Sequence, residues 1–386
     1  MATTTITSGV QYSGIWNLSS QANAKALGTW PAAYSSQGLW AWGYNGFGEL
    51  GLGNTVDKSS PNQIGALVVW ATAEVGQFFG LATKVDGTLW TWGFNTSGQL
   101  GLGDATNKSS PNQVGALTTW SIGKGGRYFS MATKSNGTLW AWGSNTNGQL
   151  GLGNTTSYSS PKQVGALTTW LNIAAGAYYS SAIKSDGTLW TWGANTQGQL
   201  GLGNTTSYSS PKQVGALTNW LNIAAWYRNT VATKTDGTLW SWGQNNYGQL
   251  GDGTTTYRSS PVQVGALTTW YKISAGEFHV LAIKTDGTLW SWGFNSTGQL
   301  GLGNTTNYSS PKQVGALTTW FNIAGGSGFS TATSTSGTLL SWGKGASGRL
   351  GLGNITNYSS PKQVGALTNW LKTACGYGQT IATTAY

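Results

Sequence analysis

Cysteine and histidine are nearly absent, with one of each, Cys375 and His279, in 386 residues. A lone cysteine excludes a disulfide within the chain, so packing must supply the stability. The same scarcity leaves no tetrahedral zinc site of Cys and His ligands and argues against a histidine-based triad. Charge is sparse too, at 8% of residues, and the 20 basic and 10 acidic side chains, net +10, include no basic run. Lysines spread in this way keep a Gly- and Trp-rich particle soluble and give a mild preference for anionic partners. They leave no electrostatic footprint of a nucleic-acid binder. No apolar stretch has the length of a transmembrane helix, and Met1 to Val10 lacks the basic and apolar regions of a signal peptide. Membrane insertion is therefore not expected, and cytoplasmic synthesis is.

What is abundant is glycine, 59 residues, and tryptophan, 23. Tight turns and large buried rings favour an all-β chain. The tryptophans also give a period: Trp40, Trp90, Trp140, Trp190, Trp240 and Trp290 are spaced by 50, with Leu340 in the seventh slot. Trp42 to Trp342 and Trp70 to Trp370 fill all seven slots of two further series. Periods of this size belong to solenoids, propellers or arrays. Within a unit, Thr188 to Gly193 alternates as a strand, and Tyr179 to Lys184 is a second strand joined to it by the hairpin signal Asp186-Gly187. Trp170 to Ala174 reads as an inner strand and KQVGAL after Pro161 as a short outer one. Four short strands make a propeller blade.

The ends decide the architecture. Trp370 to Thr384 repeats only the first half of a unit and Gly38 to Leu67 only the second. Joined, they complete a seventh blade and leave no open sheet edge, whereas a solenoid would need caps. The expected fold is an all-β, seven-bladed propeller over residues 38–386, its last blade closed by strands from both termini, preceded by an attachment segment over 1–37.

The unit GTLWTWGANTQGQLGLGNTTSYSSPKQVGAL, Gly187 to Leu217, resembles the repeat of the regulator of chromosome condensation family, and the match runs from 38 to 386. The resemblance implies a seven-bladed propeller, and a function as exchange factor for a small GTPase, chromatin binder or scaffold. It also implies a His opening the second strand, a slot that only His279 fills here. That departure, few acidic residues in the loops and a single charge, Lys25, in residues 1–37 argue against exchange and chromatin binding. Residues 12–31, with a short helix started at Ser19 or Ser20 and stopped at Gly28, resemble a segment of bacteriophage virion proteins.

Catalysis has little to work with. Candidate carboxylate pairs, such as Glu277 with Asp252, have only approximate blade proximity to recommend them. The recurring GQLGLGN run reads as turns and bulges rather than a phosphate cradle, since no helix follows it. Lys84, Lys134, Lys184, Lys234 and Lys284 beside the hairpin turns read as solvated turn lysines. No enzyme activity, cofactor or metal is expected.

Because the repeats are near copies, their differences carry information. The turn after the inner strand reads Gln77-Phe78-Phe79, Arg127-Tyr128-Phe129, Ala177-Tyr178-Tyr179, Tyr227-Arg228-Asn229 after Trp226, Glu277-Phe278-His279, Ser327-Gly328-Phe329 and Tyr377-Gly378-Gln379. A second variable set follows the Trp-Gly pair: Tyr44, Phe94, Gln244, Tyr247, Phe294 and Lys344. Antiparallel strands put both sets on one face of the ring, the opposite face being nearly uniform. Varied aromatics and arginines are the ingredients of a recognition surface for proteins or glycans. The expectation is a binding propeller of a virion tail or appendage. Residues 1–37 would attach it to other virion proteins, the variable face would meet a host protein or glycan, and an oligomer would be compatible. The alternative is a cytoplasmic scaffold or small-GTPase regulator.

Overall fold

The hairpin signal at Asp186-Gly187 is realised in atomic detail. The Asp186 carboxylate accepts from the Thr188 backbone N–H at 2.9 Å and its hydroxyl at 2.6 Å. Gly187 sits at φ +76°, where a Cβ would also lie 2.1 Å from the Thr218 carbonyl of the next blade-to-blade loop. Turn and neighbouring loop therefore fit only with glycine. The computed structural model describes residues 38–65 and 70–385, in which 28 strands form seven four-stranded antiparallel sheets. One blade runs, from the inner strand outward, Trp170–Ala175, Tyr179–Lys184, Leu189–Gly193 and Tyr208–Gln213.

The seventh blade is closed as expected. Its order is Lys58–Gln63, Gly38–Gly43, Gln379–Thr384, Trp370–Cys375. Gly38 pairs with Thr384 and Gly43 with Gln379 in unbroken register.

The outer strand differs from the sequence reading. It begins before the proline, as in Tyr158–Gln163, instead of after it. Tyr158 pairs with Gly143 and Lys162 with Ala141, with a register shift between. Pro161 falls inside that irregularity on an edge strand, where no regular ladder bond is asked of it.

Neighbouring blades are locked through the tryptophans. Trp42, Trp92, Trp142, Trp192, Trp242, Trp292 and Trp342 are all 0% exposed. The Trp192 Nε1–H donates to the Gln149 carbonyl of the preceding blade at 2.9 Å. Gly151 makes room for that indole, since a Cβ there would meet Nε1 at 2.6 Å. Asn145 organises the loop: its Oδ1 accepts from Leu150 N–H at 2.9 Å, and its Nδ2 donates to the Asn154 and Thr156 carbonyls. These contacts give the Trp-Gly, Asn and GQLG pattern its packing role.

The hairpin lysines are packed onto tryptophan rings, Lys84 and Lys134 partly buried and the other three buried. The Lys184 ammonium stands 3.7 Å over the Trp190 ring, and Lys84, Lys134, Lys234 and Lys284 repeat the stack. Trp170 meets Trp190 and Trp192 edge-on. The stem of each lysine covers apolar rings, a burial that alternation along a strand does not reveal.

Candidate functional site

Seven backbone hydrogen bonds join the two variable sets. The residue after each Trp-Gly pair donates to the carbonyl before the second strand: Tyr44 to Gly378, Phe94 to Phe78, Ser144 to Tyr128, Ala194 to Tyr178, Gln244 to Arg228, Phe294 to Phe278 and Lys344 to Gly328. Both sets therefore occupy one face of the ring. The turns are also linked to each other, as where Gln77 N–H donates to Gly126 O and Tyr377 N–H to Gln77 O. Side chains on this face stand on fixed backbone.

They assemble into two ring clusters. In the first, Phe78 contacts Tyr44, Phe47, Phe94 and Tyr377, with centroids 5.0 to 6.4 Å apart, and Phe94 reaches Tyr128 at 6.0 Å. The Arg127 guanidinium lies 5.1 Å from the Tyr128 ring and 5.3 Å from that of Tyr178, carrying the arc into the next blade. In the second, Phe278 packs on Tyr227, Tyr247 and Phe294, and Arg228 stands over Tyr227. All these rings are partly exposed. Phe47 was missed by the sequence reading, although it occupies the same slot as Tyr247, which was included.

The third residue of each variable turn is not on the face: Phe79 and His279, like Phe129, Tyr179, Asn229, Phe329 and Gln379, are at most 1% exposed. They open the second strands, such as Phe79–Lys84 and His279–Lys284, whose first side chain turns toward the following blade. There the Tyr179 hydroxyl donates to Asn229 O at 2.6 Å, His279 Nε2 meets Ser330 Oγ at 2.8 Å, and Gln379 Nε2 donates to Gly76 O at 3.2 Å. Burial pushes the His279 pKa down to about 3, so the ring is neutral. The slot is an inter-blade contact, and its lone histidine is no evidence about a partner.

The same slot explains Trp226. Glycine precedes each of the other turns, and at Gly76, Gly176 and Gly276 a Cβ would fall 1.9 to 2.2 Å from the ring in the slot. Only beside the smaller Asn229 is a tryptophan accommodated, half-exposed. The remaining predicted residue, Glu277, accepts from the Ser327 hydroxyl. Asp252 is instead held by Arg258 Nε at 2.9 Å. Among the described residues no three His, Cys, Asp or Glu side chains converge on a metal position.

Beneath the first cluster lies Glu49, 0% exposed. Its Oε2 accepts from Phe47 N–H at 2.7 Å, while Oε1 has no partner. Desolvation raises its pKa to about 7. Five blades carry glutamine in this slot and the last carries Arg349, which donates to the Ala346, Ser327 and Tyr377 carbonyls.

The RCC1-like domain profile matches residues 125–382, two thirds of the chain. The chain belongs to the RCC1-like family. RCC1 repeats also match residues 37–83 and 86–133 of this RCC1-like propeller. Human WBSCR16 superposes with a TM-score of 0.82 at 21% identity, over 90% of this chain and 99% of that one. Prp20p from Saccharomyces cerevisiae gives 0.82 at 22%, over 92% of each chain. Yeast RCC1 (Prp20) bound to Kap60 gives 0.81 at 22%, over 91% and 89%. No curated protein matches in sequence. The resemblance of residues 12–31 to virion segments finds no support in these matches, and residues 1–37 lie outside the described residues.

Proposed function

We propose that this RCC1-like propeller is a non-enzymatic binding protein that receives a protein partner on its aromatic face. The observation that carries the reading is the pair of partly exposed ring clusters with Arg127 and Arg228 stacked on them. Aromatic and arginine side chains held on rigid turns dominate interface energetics, because they bury much area at little entropic cost. Family membership supports a cellular scaffold or small-GTPase regulator over a virion appendage, for which only residues 12–31 speak. Among the structural relatives, Prp20p has binding properties toward Gsp1p and histones. On this chain, Arg127, Arg228 and Lys344 are set against Glu277, itself engaged by Ser327, which suits an acidic or neutral partner surface better than a basic tail.

Replacing Tyr227, Phe278 and Phe294 together by Ser tests this. Wild type and variant are used side by side as bait in an extract of the source cells, with quantitative recovery of bound proteins. The variant should keep its thermal unfolding and lose a partner that wild type retains. Equal recovery by both baits overturns the reading.

A further inference from the structure

The seven inner strands contact one another in a closed circle, and so form the wall of an axial channel. The charged residues on that wall are three lysines, Lys124, Lys272 and Lys372, and one glutamate, Glu74. Glu74 is taken up by an ion pair with Lys124, which leaves two ammonium groups without a matching carboxylate on the wall. Both stand in the third position of their strands, a slot that elsewhere holds Thr72, Ile122, Asn172, Asn222 and Asn322. From this slot Asn172 Nδ2 donates to Leu221 O of the next inner strand at 3.5 Å, Asn222 Nδ2 to Tyr271 O at 3.4 Å and the Lys272 ammonium to Phe321 O at 2.7 Å. Asn322 breaks the series. The Leu371 carbonyl in the corresponding place is taken by the Thr333 hydroxyl at 3.2 Å, and Asn322 Oδ1 instead accepts from Thr373 N–H at 3.1 Å. A backbone N–H can only donate, so the orientation of this amide is fixed, and its Nδ2 has no partner among the described residues.

We propose that Lys272, Asn322 and Lys372 form a binding site for a small free oxyanion of the phosphate class, at the end of the channel away from the aromatic clusters. The three occupy one level on three consecutive blades, joined strand to strand by the Lys272–Phe321 and Asn322–Thr373 bonds. What they have left to offer is donors alone: the remaining ammonium hydrogens of Lys272, the Asn322 amide nitrogen, and the Lys372 ammonium, which has no hydrogen bond or ion pair among the described residues. An oxyanion supplies the acceptors that such a set lacks, and two lysines match its charge. Burial first, and then the Lys372 ammonium, lower the pKa of Lys272 to about 8, so at pH 7 both remain mostly charged and repel each other. Nearby carboxylates do not relieve this. Glu74, which acts on Lys372, is paired with Lys124, and Glu277 lies beyond the other end of the Lys272 strand, where it accepts from Ser327. Lys272 and Asn322 are partly buried while Lys372 is exposed, which gives an anion its way in. Seven strands in mutual contact enclose a narrow lumen, which suits a compact anion and excludes a folded acidic surface.

The test is titration calorimetry of the full chain with sodium pyrophosphate at pH 7, ionic strength being held constant with sodium chloride. Wild type should bind one anion per chain. Asn322→Asp keeps the acceptor for Thr373 N–H but sets a carboxylate between the two ammonium groups. It should weaken pyrophosphate at least tenfold and raise the thermal unfolding temperature of the anion-free chain, a pair of effects that a merely structural asparagine would not give. Lys372→Gln, which alters one exposed side chain, should weaken binding to a similar extent with the fold kept, and Lys162→Gln on an outer strand should bind as wild type does. Inorganic phosphate, run beside glycerol phosphate, should bind at least as well as the ester; the reverse order would overturn the assignment to a free anion. Wild type without saturable binding overturns the proposal, as does unchanged affinity in folded Lys372→Gln or an equal loss in Lys162→Gln. None of these readouts depends on a partner at the aromatic face.

Discussion

Replacing Glu49 by Gln should change how stability depends on pH. The carboxyl is 0% exposed and its pKa is raised from 4.5 to about 7, first by desolvation. Between those two values the native state holds a proton that the unfolded chain has released. Stability is therefore full below about pH 4.5, falls as pH rises toward 7, and is flat above. A displacement of this size corresponds to about 3 kcal/mol. The Gln variant has no proton to lose, and glutamine is what five other blades carry in this slot. Urea unfolding followed by tryptophan fluorescence at a series of pH values measures the difference. The variant should match wild type near pH 4.5 and exceed it at pH 8 by up to ~3 kcal/mol. Parallel curves for the two proteins across that range would refute the burial of a protonated carboxyl.

Two further perturbations probe the inter-blade contacts. Trp192→Ala removes a fully buried ring and its bond to the Gln149 carbonyl, and should cost roughly 3 to 5 kcal/mol; unchanged thermal unfolding would contradict the locking role. His279 carries a depressed pKa, so it contributes stability above about pH 6.5 that is lost as pH falls toward 3. His279→Phe, a residue that three other blades carry in this slot, should fold normally and flatten that acid limb in the same assay, whereas an identical acid limb would show that the imidazole is not the group being charged.

The propeller itself was legible because a closed repeat writes its architecture several times over. The strand Tyr179–Lys184, the turn at Asp186-Gly187 and the half-blades at the two ends follow from period, alternation and turn chemistry, and each is a local property. The shared face of the two variable sets followed as well, since antiparallel order fixes which strand ends coincide.

What the sequence alone did not contain was the choice of neighbour for each side chain. Period two separates the sides of a strand, but in a propeller both sides of a blade meet another blade, so alternation does not mark burial. Phe79 and His279 belong to the inter-blade contact for that reason, while Phe78 and Phe278, one residue earlier, remain on the face. The same cause put the hairpin lysines onto tryptophan rings and buried Glu49 beneath Phe47. It also left a repeated leucine, as at Leu167 and Leu217, half-exposed on the blade-to-blade loops. Repetition along the chain determined the number and order of the strands; only the packing of blade on blade decided which repeated residues are core and which are surface.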